Sequence, residues 1–132
     1  MASYTDHRGT IDMVLESCQV GSISTITTEP GKWRARHWHK NDGHWIEILE
    51  GQVVIYEARH YDSSPKDVTR KVLNKGDIHW TGPEIEHEMT FPCFTVFKCY
   101  STLPRNQDNY EADTVRFDYS LEEIYENQSK KE

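Results

Sequence analysis

Of the seven histidines in the chain, three lie within eight residues: His37, His39 and His44. In a β-strand, residues i and i+2 project from the same face, so His37 and His39 are expected side by side. The short Asn41-Asp-Gly43 sequence reads as a turn that returns His44 on the neighbouring strand. Three imidazoles converging on one point can hold a first-row transition metal. An imidazole on a buried face needs a partner for each ring nitrogen. A metal is one such partner; a tyrosine hydroxyl or a backbone carbonyl is another.

The strands that carry these residues set their direction. Strict alternation places Trp33, Ala35, His37 and His39 on one face, and Arg34, Arg36, Trp38 and Lys40 on the other. On the next strand His44 shares its face with Ile46 and Ile48, opposite Trp45, Glu47 and Leu49, which places His44 inside. Trp38 and Trp45 then face away from the histidines on adjacent strands. Two outward tryptophans so placed point to a covered surface, either a sheet edge or a dimer interface, and a homodimer is expected.

The rest of the chain also reads as strands. Stretches 10–16, 21–28, 32–40, 44–50, 52–59, 68–73, 77–80, 86–91 and 94–101 are apolar-rich or alternating. Turn residues separate them, at 29–31, 41–43, Gly51, 62–65, 74–76 and 82–83. Many short strands at regular spacing predict an all-β sandwich or barrel, with its strands within 10–118. Ser120-Leu-Glu-Glu123 has the form of a capping box, and Leu121, Ile124 and Tyr125 give one apolar face. A short C-terminal helix is expected there, fraying from about Asn127. No repeat, linker or second domain is visible, so residues 1–132 read as a single domain of one core.

Composition narrows the function. The hydrophobic content of 36% is low, and seven Tyr, four Trp and four Phe partly make up the buried area. A net charge of −7 argues against nucleic acid as the main partner, although a local arginine cluster can still hold an anion. The polar N-terminus has no apolar signal region, and no run approaches a membrane span. Cys18, Cys93 and Cys99 are an odd set without CxxC spacing, which suggests reduced thiols in a cytoplasmic protein, with Cys93 and Cys99 buried.

With these residues in view, the chain resembles the cupin superfamily. The first cupin motif reads G(x5)HxH(x3–4)E(x6)G, and Gly31, His37, His39, His44 and Gly51 fit its frame with His44 in place of the Glu. The second reads G(x5)PxG(x2)H; Gly76 and His87 stand at its interval, but Gly82 and Glu84 occupy the inner Pro and Gly positions. The trailing Asn of that motif is absent, its place taken by Phe91. The resemblance implies a cupin-type antiparallel β-barrel, or jelly roll.

Within the cupins, Arg34-Ala-Arg-His-Trp-His-Lys40, Gly82-Pro-Glu-Ile-Glu-His-Glu-Met89 and Asp113-Thr-Val-Arg116 resemble RGxHAHK, GPxxWHEM and DYIR of the nucleotide-sugar 3,4-ketoisomerases. Those enzymes act on dTDP-4-keto-6-deoxyhexoses in surface-polysaccharide pathways, without a metal. The resemblance implies that His37 and His39 are an acid–base pair and that Arg34 helps hold the nucleotide phosphates. Where the ketoisomerases have Gln, this chain has His44, and His87 is retained. The expectation is therefore a relative with a four-histidine site, His37, His39, His44 and His87. That site would hold one divalent ion such as Mn, Fe, Co, Ni, Cu or Zn.

Several other residues are candidates. His79 is a possible substrate contact, while His7 and His60 read as solvated. Arg36 joins Arg34 as a phosphate ligand, or else both pair with Glu47. Tyr56, Tyr100 or Tyr110 can supply a phenol. Three functions fit: an isomerase or epimerase moving a proton next to the carbonyl of a sugar nucleotide or keto-sugar, a metal-dependent dioxygenase, and a sugar- or metabolite-binding cupin without turnover.

Overall fold

A computed structural model describes residues 3–62 and 66–130. Most of the expected turn at 62–65 lies outside the described residues. Eleven strands and two helices are arranged in chain order: β1 (Ser3–Asp6), β2 (Gly9–Asp12), β3 (Ser22–Thr28), β4 (Trp33–His39), β5 (His44–Glu50), β6 (Gln52–Arg59), β7 (Thr69–Asn74), β8 (Ile78–Thr81), β9 (Ile85–Thr90), β10 (Thr95–Ser101), α1 (Gln107–Asp113), β11 (Thr114–Arg116) and α2 (Leu121–Lys130). One sheet has the order β3-β10-β5-β8 and the other β11-β4-β9-β6-β7, and every pairing is antiparallel. This is the cupin jelly roll that the strand spacing and the two motifs predict.

The alternation of each strand explains the layering. β5 buries His44, Ile46 and Ile48 while Trp45, Glu47 and Leu49 stay partly exposed. β6 is buried on both faces. Val53 and Ile55 enter the core with Ile46, Ile48, Leu73, Phe91 and Phe97. Val54, Tyr56 and Ala58 face the other way, under Leu121 of α2 and the side chains of Phe117, Tyr119, Ile124 and Tyr125. The chain crosses from one sheet to the other through Gly51 alone, between β5 and β6. Gly51 has φ +89°, and a Cβ there would run into the Phe94 carbonyl oxygen, so only glycine fits.

The helix α2 is fixed by a carboxylate from below. Glu88 of β9 is fully buried and accepts hydrogen bonds from the backbone N–H of Leu121 and Glu122 at 2.9 and 3.3 Å. Arg36 neutralises it from the side at 3.0 Å. Ser120 caps the helix by accepting from the Glu123 N–H at 3.2 Å, which is one half of the expected capping box. The helix continues to Lys130, past the expected fraying point.

Four expectations are corrected. First, β4 and β5 are consecutive in sequence but belong to opposite sheets, so His44 faces His39 across the sandwich instead of standing beside it. Trp38 and Trp45 therefore share no surface: Trp38 stacks on His60 at 3.8 Å, and Trp45 packs on Trp80 at 4.3 Å. That stack also removes His60 from the solvated residues; His7 is exposed as expected. Second, the strand expected over 10–16 ends at Asp12 and pairs only with β1, as a hairpin outside both barrel sheets. The barrel strands thus begin at Ser22 and end at Arg116. Third, α1 and β11 fill a stretch where the sequence predicted no element. Fourth, Cys93 is exposed, as is Cys18; only Cys99 is buried, and all three are free. No helix among the described residues is long and apolar enough to cross a membrane.

Candidate active site

The histidines meet because two sheets close on each other. Register places His37 of β4 opposite His87 of β9, so their side chains share the inner face. His39 follows on the same face of β4, and His44 approaches from β5 of the other sheet. Ring centroids are 4.7 Å apart for His37–His39, 4.6 Å for His37–His87, 5.1 Å for His44–His87 and 5.9 Å for His39–His44. All four line one cavity of about 130 Å³. A cavity of that order holds a single six-membered ring.

A bulge decides what else reaches this cavity. Between Ala35 and His37 the β4–β9 register slips. Ala35 and Arg36 take φ of +77° and +60°, a conformation rare for residues with a side chain. The slip resets the alternation. Arg34, expected on the opposite face, lines the cavity, where it donates to Thr28 Oγ1 at 2.6 Å and to the Thr27 carbonyl at 2.8 Å. Arg36 points outward to Glu88, so neither arginine pairs with Glu47, which instead accepts from Tyr100 at 2.7 Å.

The hydrogen bonds fix two tautomers. His87 Nδ1 lies 3.0 Å from the Ile85 carbonyl, which can only accept. Nδ1 therefore carries the proton, and Nε2 keeps its lone pair. Thr114 spends its one hydroxyl proton on the Tyr110 carbonyl at 2.6 Å. Its oxygen can then only accept from His39 Nδ1 at 3.3 Å, with the Asp113 carboxylate 3.7 Å from the same nitrogen. So His39 also presents a bare Nε2. Asp113 is held in place by the backbone N–H groups of Asn41 and Asp42, at 2.8 and 3.0 Å.

Burial keeps these imidazoles neutral. His37 and His44 are driven far below the ordinary histidine value, by desolvation first and by the neighbouring imidazoles second. Desolvation also pushes His87 down to about 4, against the pull of the Ile85 carbonyl. His39 is lowered by burial too, opposed by Asp42 and Asp113. Neutral imidazoles with free lone pairs can accept a proton or ligate a metal.

Among the described residues, two groupings have the spacing of a metal site. The donor atoms of His37, His39 and His87 all lie within 4.8 Å of one another, and so do those of His39, Asp42 and Asp113. His44 stands beside the first group, next to His87, but outside that common radius.

The other expected residues divide. His79 is held by Glu57, with Nε2 3.1 Å from Oε1, while Thr81 bonds the second carboxylate oxygen at 2.6 Å; His79 does not line the cavity. Of the three tyrosines, Tyr56 lies on the outer face bonded to Glu122, and Tyr100 bonds Glu47. Tyr110 alone lines the cavity, its ring 6.2 Å from His37 and 5.8 Å from His39. Among the described residues its hydroxyl takes no hydrogen bond. Sequence reading missed Arg105, which lies 4.6 Å over the Tyr110 ring and also lines the cavity. Asp42, Cys99 and Ser101 were missed there as well.

No protein-family model matches the chain, and no curated protein matches it by sequence. Solved structures do match. The dTDP-4-dehydrorhamnose 3,5-epimerase from Sulfolobus tokodaii superposes with a TM-score of 0.73 at 18% identity, over 90% of this chain and 74% of that one. A 3,4-ketoisomerase from Helicobacter canadensis gives 0.70 at 18% identity, over 93% and 89%. The QdtA 3,4-ketoisomerase from Thermoanaerobacterium thermosaccharolyticum, a double mutant in complex with TDP, gives 0.66 at 21% identity, over 88% and 83%. These likenesses show the fold: the chain has the jelly roll of the RmlC-like cupins.

Proposed function

We propose that the protein is an isomerase or epimerase that moves a proton next to the carbonyl of a sugar nucleotide or related keto-sugar. The observation that carries this reading is the pairing of bare, neutral imidazole nitrogens with the free Tyr110 hydroxyl in one ring-sized cavity. A general base must present a lone pair and a partner must supply the proton back. His37 and His39 are the acid–base pair, with Asp113 holding the His39 tautomer and stabilising its cation. Tyr110 faces both and can donate to the carbonyl oxygen as charge develops there. The sugar ring enters the cavity and the diphosphate stays outside, against Arg34 and Arg105. The likeness to epimerases and ketoisomerases, one of them solved with TDP, supports this choice of substrate class. Incubating the protein with a dTDP-4-keto-6-deoxyhexose and following the sugar by proton NMR tests it; a new ring isomer is expected.

The donor set also fits a divalent transition metal, because three imidazoles lie within mutual ligating distance. His37, His39 and His87 would hold it, with His44 as the fourth proposed ligand. A bound ion would supply Lewis-acid polarisation of a substrate oxygen. The same donor set favours a dioxygenase as the second reading, which oxygen uptake with a small substrate would reveal.

We further propose a homodimer. A two-stranded hairpin is marginal on its own, yet β1–β2 lies outside both barrel sheets with Tyr4 and Ile11 exposed as a cross-strand pair. Across the outer face of the four-stranded sheet, register aligns Ile23, Tyr100, Trp45 and Trp80 in one row. A second copy's hairpin suits that row. Light scattering at micromolar concentration is expected to give twice the chain mass.

A further inference from the structure

The bulge in β4 sends its two arginines to opposite sides of one sheet. Arg34 enters the cavity, and Arg36 emerges on the outer face beside a groove of about 410 Å³ between α2 and the loops at Gly31 and Pro92. We propose that this groove binds an organic phosphate bearing a flat ring, with the phosphate on Lys32, Arg36 and Arg70 and the ring on Trp33.

Three observations carry the inference. The first is charge. In a chain of net charge −7, three cationic side chains line one groove. Among the described residues one carboxylate lines it, Glu122, which accepts the Tyr56 hydroxyl, while Glu88 lies buried beneath Arg36 and is shared with the α2 backbone. Among the described residues, Lys32 and Arg70 have no carboxylate within ion-pair distance.

The second is preorganisation. Arg36 is pinned at Nε by Glu88 at 3.0 Å, and its guanidinium lies 3.8 Å over the Trp33 ring. Its Nη groups remain as a fixed fork of donors, the geometry that suits a phosphate. Arg70 is steadied by the Tyr56 hydroxyl at 3.4 Å. Half of Trp33 stays exposed, so one ring face is open for stacking.

The third is strain. Two consecutive residues with side chains, Ala35 and Arg36, hold positive φ. Such strain persists only where the surroundings enforce it, and it clusters at ligand sites. Here it serves both faces at once, because without the slip Arg34 and Arg36 would share one face. Two anion-facing arginines are thus separated by a single residue, one in each site. The inference does not depend on the proposed reaction in the cavity.

Adenosine 5′-monophosphate is a suitable probe, titrated calorimetrically and by the indole NMR signal of Trp33, with inorganic phosphate as the ringless control. Saturable binding that shifts the Trp33 signal is expected. The Lys32→Gln/Arg70→Gln double variant should weaken it about tenfold or more. These two side chains are exposed, so folding should survive their loss, whereas Arg36→Gln risks leaving Glu88 unpaired. Trp33→Leu should weaken the nucleotide but leave inorganic phosphate unchanged. Arg34→Gln, in the cavity, should leave the binding reported by Trp33 intact. Loss of binding in Arg34→Gln with retention in the double variant would overturn the proposal, as would no saturable binding to the wild-type protein.

Discussion

The interior of this barrel has two halves that obey different rules. One half is packed with Phe91, Leu73, Val53 and Ile55, all almost wholly buried. The other holds four imidazoles, a phenol and two arginines around an open cavity. The strands β5, β9 and β10 run through both, so a few residues of distance along one strand separate dry core from chemistry. β5 shows the change directly: Ile48 belongs to the packed half, Ile46 borders the cavity and His44 belongs to the other half. The lesson is that the packed half anchors the strands, and the cavity half is free to keep polar groups whose burial does not favour folding.

That division is open to breakage from either side. In the cavity half, His39→Ala should leave the fold intact and reduce turnover by about 10²–10⁴-fold, the range for a lost general acid–base. Steady-state kinetics with circular dichroism on the same samples checks this. In the packed half, Leu73→Ala should cost about 2–5 kcal/mol of stability in urea unfolding, through lost burial and a cavity. The protein that remains folded should show an unchanged KM.

A smaller effect separates the halves by pH. Neutral buried histidines bind fewer protons than unfolded ones, so their contribution is intact above the ordinary histidine value near 6.5. It is lost as pH falls from there towards the folded value, about 4 for His87. Metal-free protein should therefore lose stability on acidification through that window, and His87→Gln should flatten the slope. His44→Gln is expected to lower metal content and melting temperature together, because a ligand bound only to the folded state stabilises it. Gln is the residue at that position in the metal-free ketoisomerases that the motifs resemble. Retained metal in that variant would restrict the ligands to His37, His39 and His87.

The smallest effect concerns the bulge. Ala35→Gly should relieve the positive φ and change stability by about 0.4–1 kcal/mol at most, since Gly lowers strain but raises unfolded-chain entropy. Thermal melts of the two proteins compare them.

These regions also differ in how legible they were in the sequence. The His37, His39 and His87 grouping follows from two-residue spacing and motif intervals, which are local. The alternation of β5 was equally plain. The direction of Arg34 was not, because a bulge at Ala35 and Arg36 carries no glycine to announce it. The placement of His44 across the sandwich depends on which sheet β5 joins, a long-range pairing that the Asn41–Gly43 turn does not encode. Tyr110 was one of three equal candidates because α1 is polar and lacks an apolar period. Its one signal was Asn106, whose side chain caps the helix by accepting from the Asn109 N–H.

The central claim is that cavity imidazoles move a proton on the carbon beside a carbonyl. Incubation with a dTDP-4-keto-6-deoxyhexose in D₂O, followed by mass spectrometry and NMR, tests it most directly. The account predicts deuterium at the ring carbon next to the keto group, with incorporation abolished in His39→Ala and retained in Trp45→Phe. No incorporation by the wild-type protein, or undiminished incorporation by His39→Ala, would contradict it.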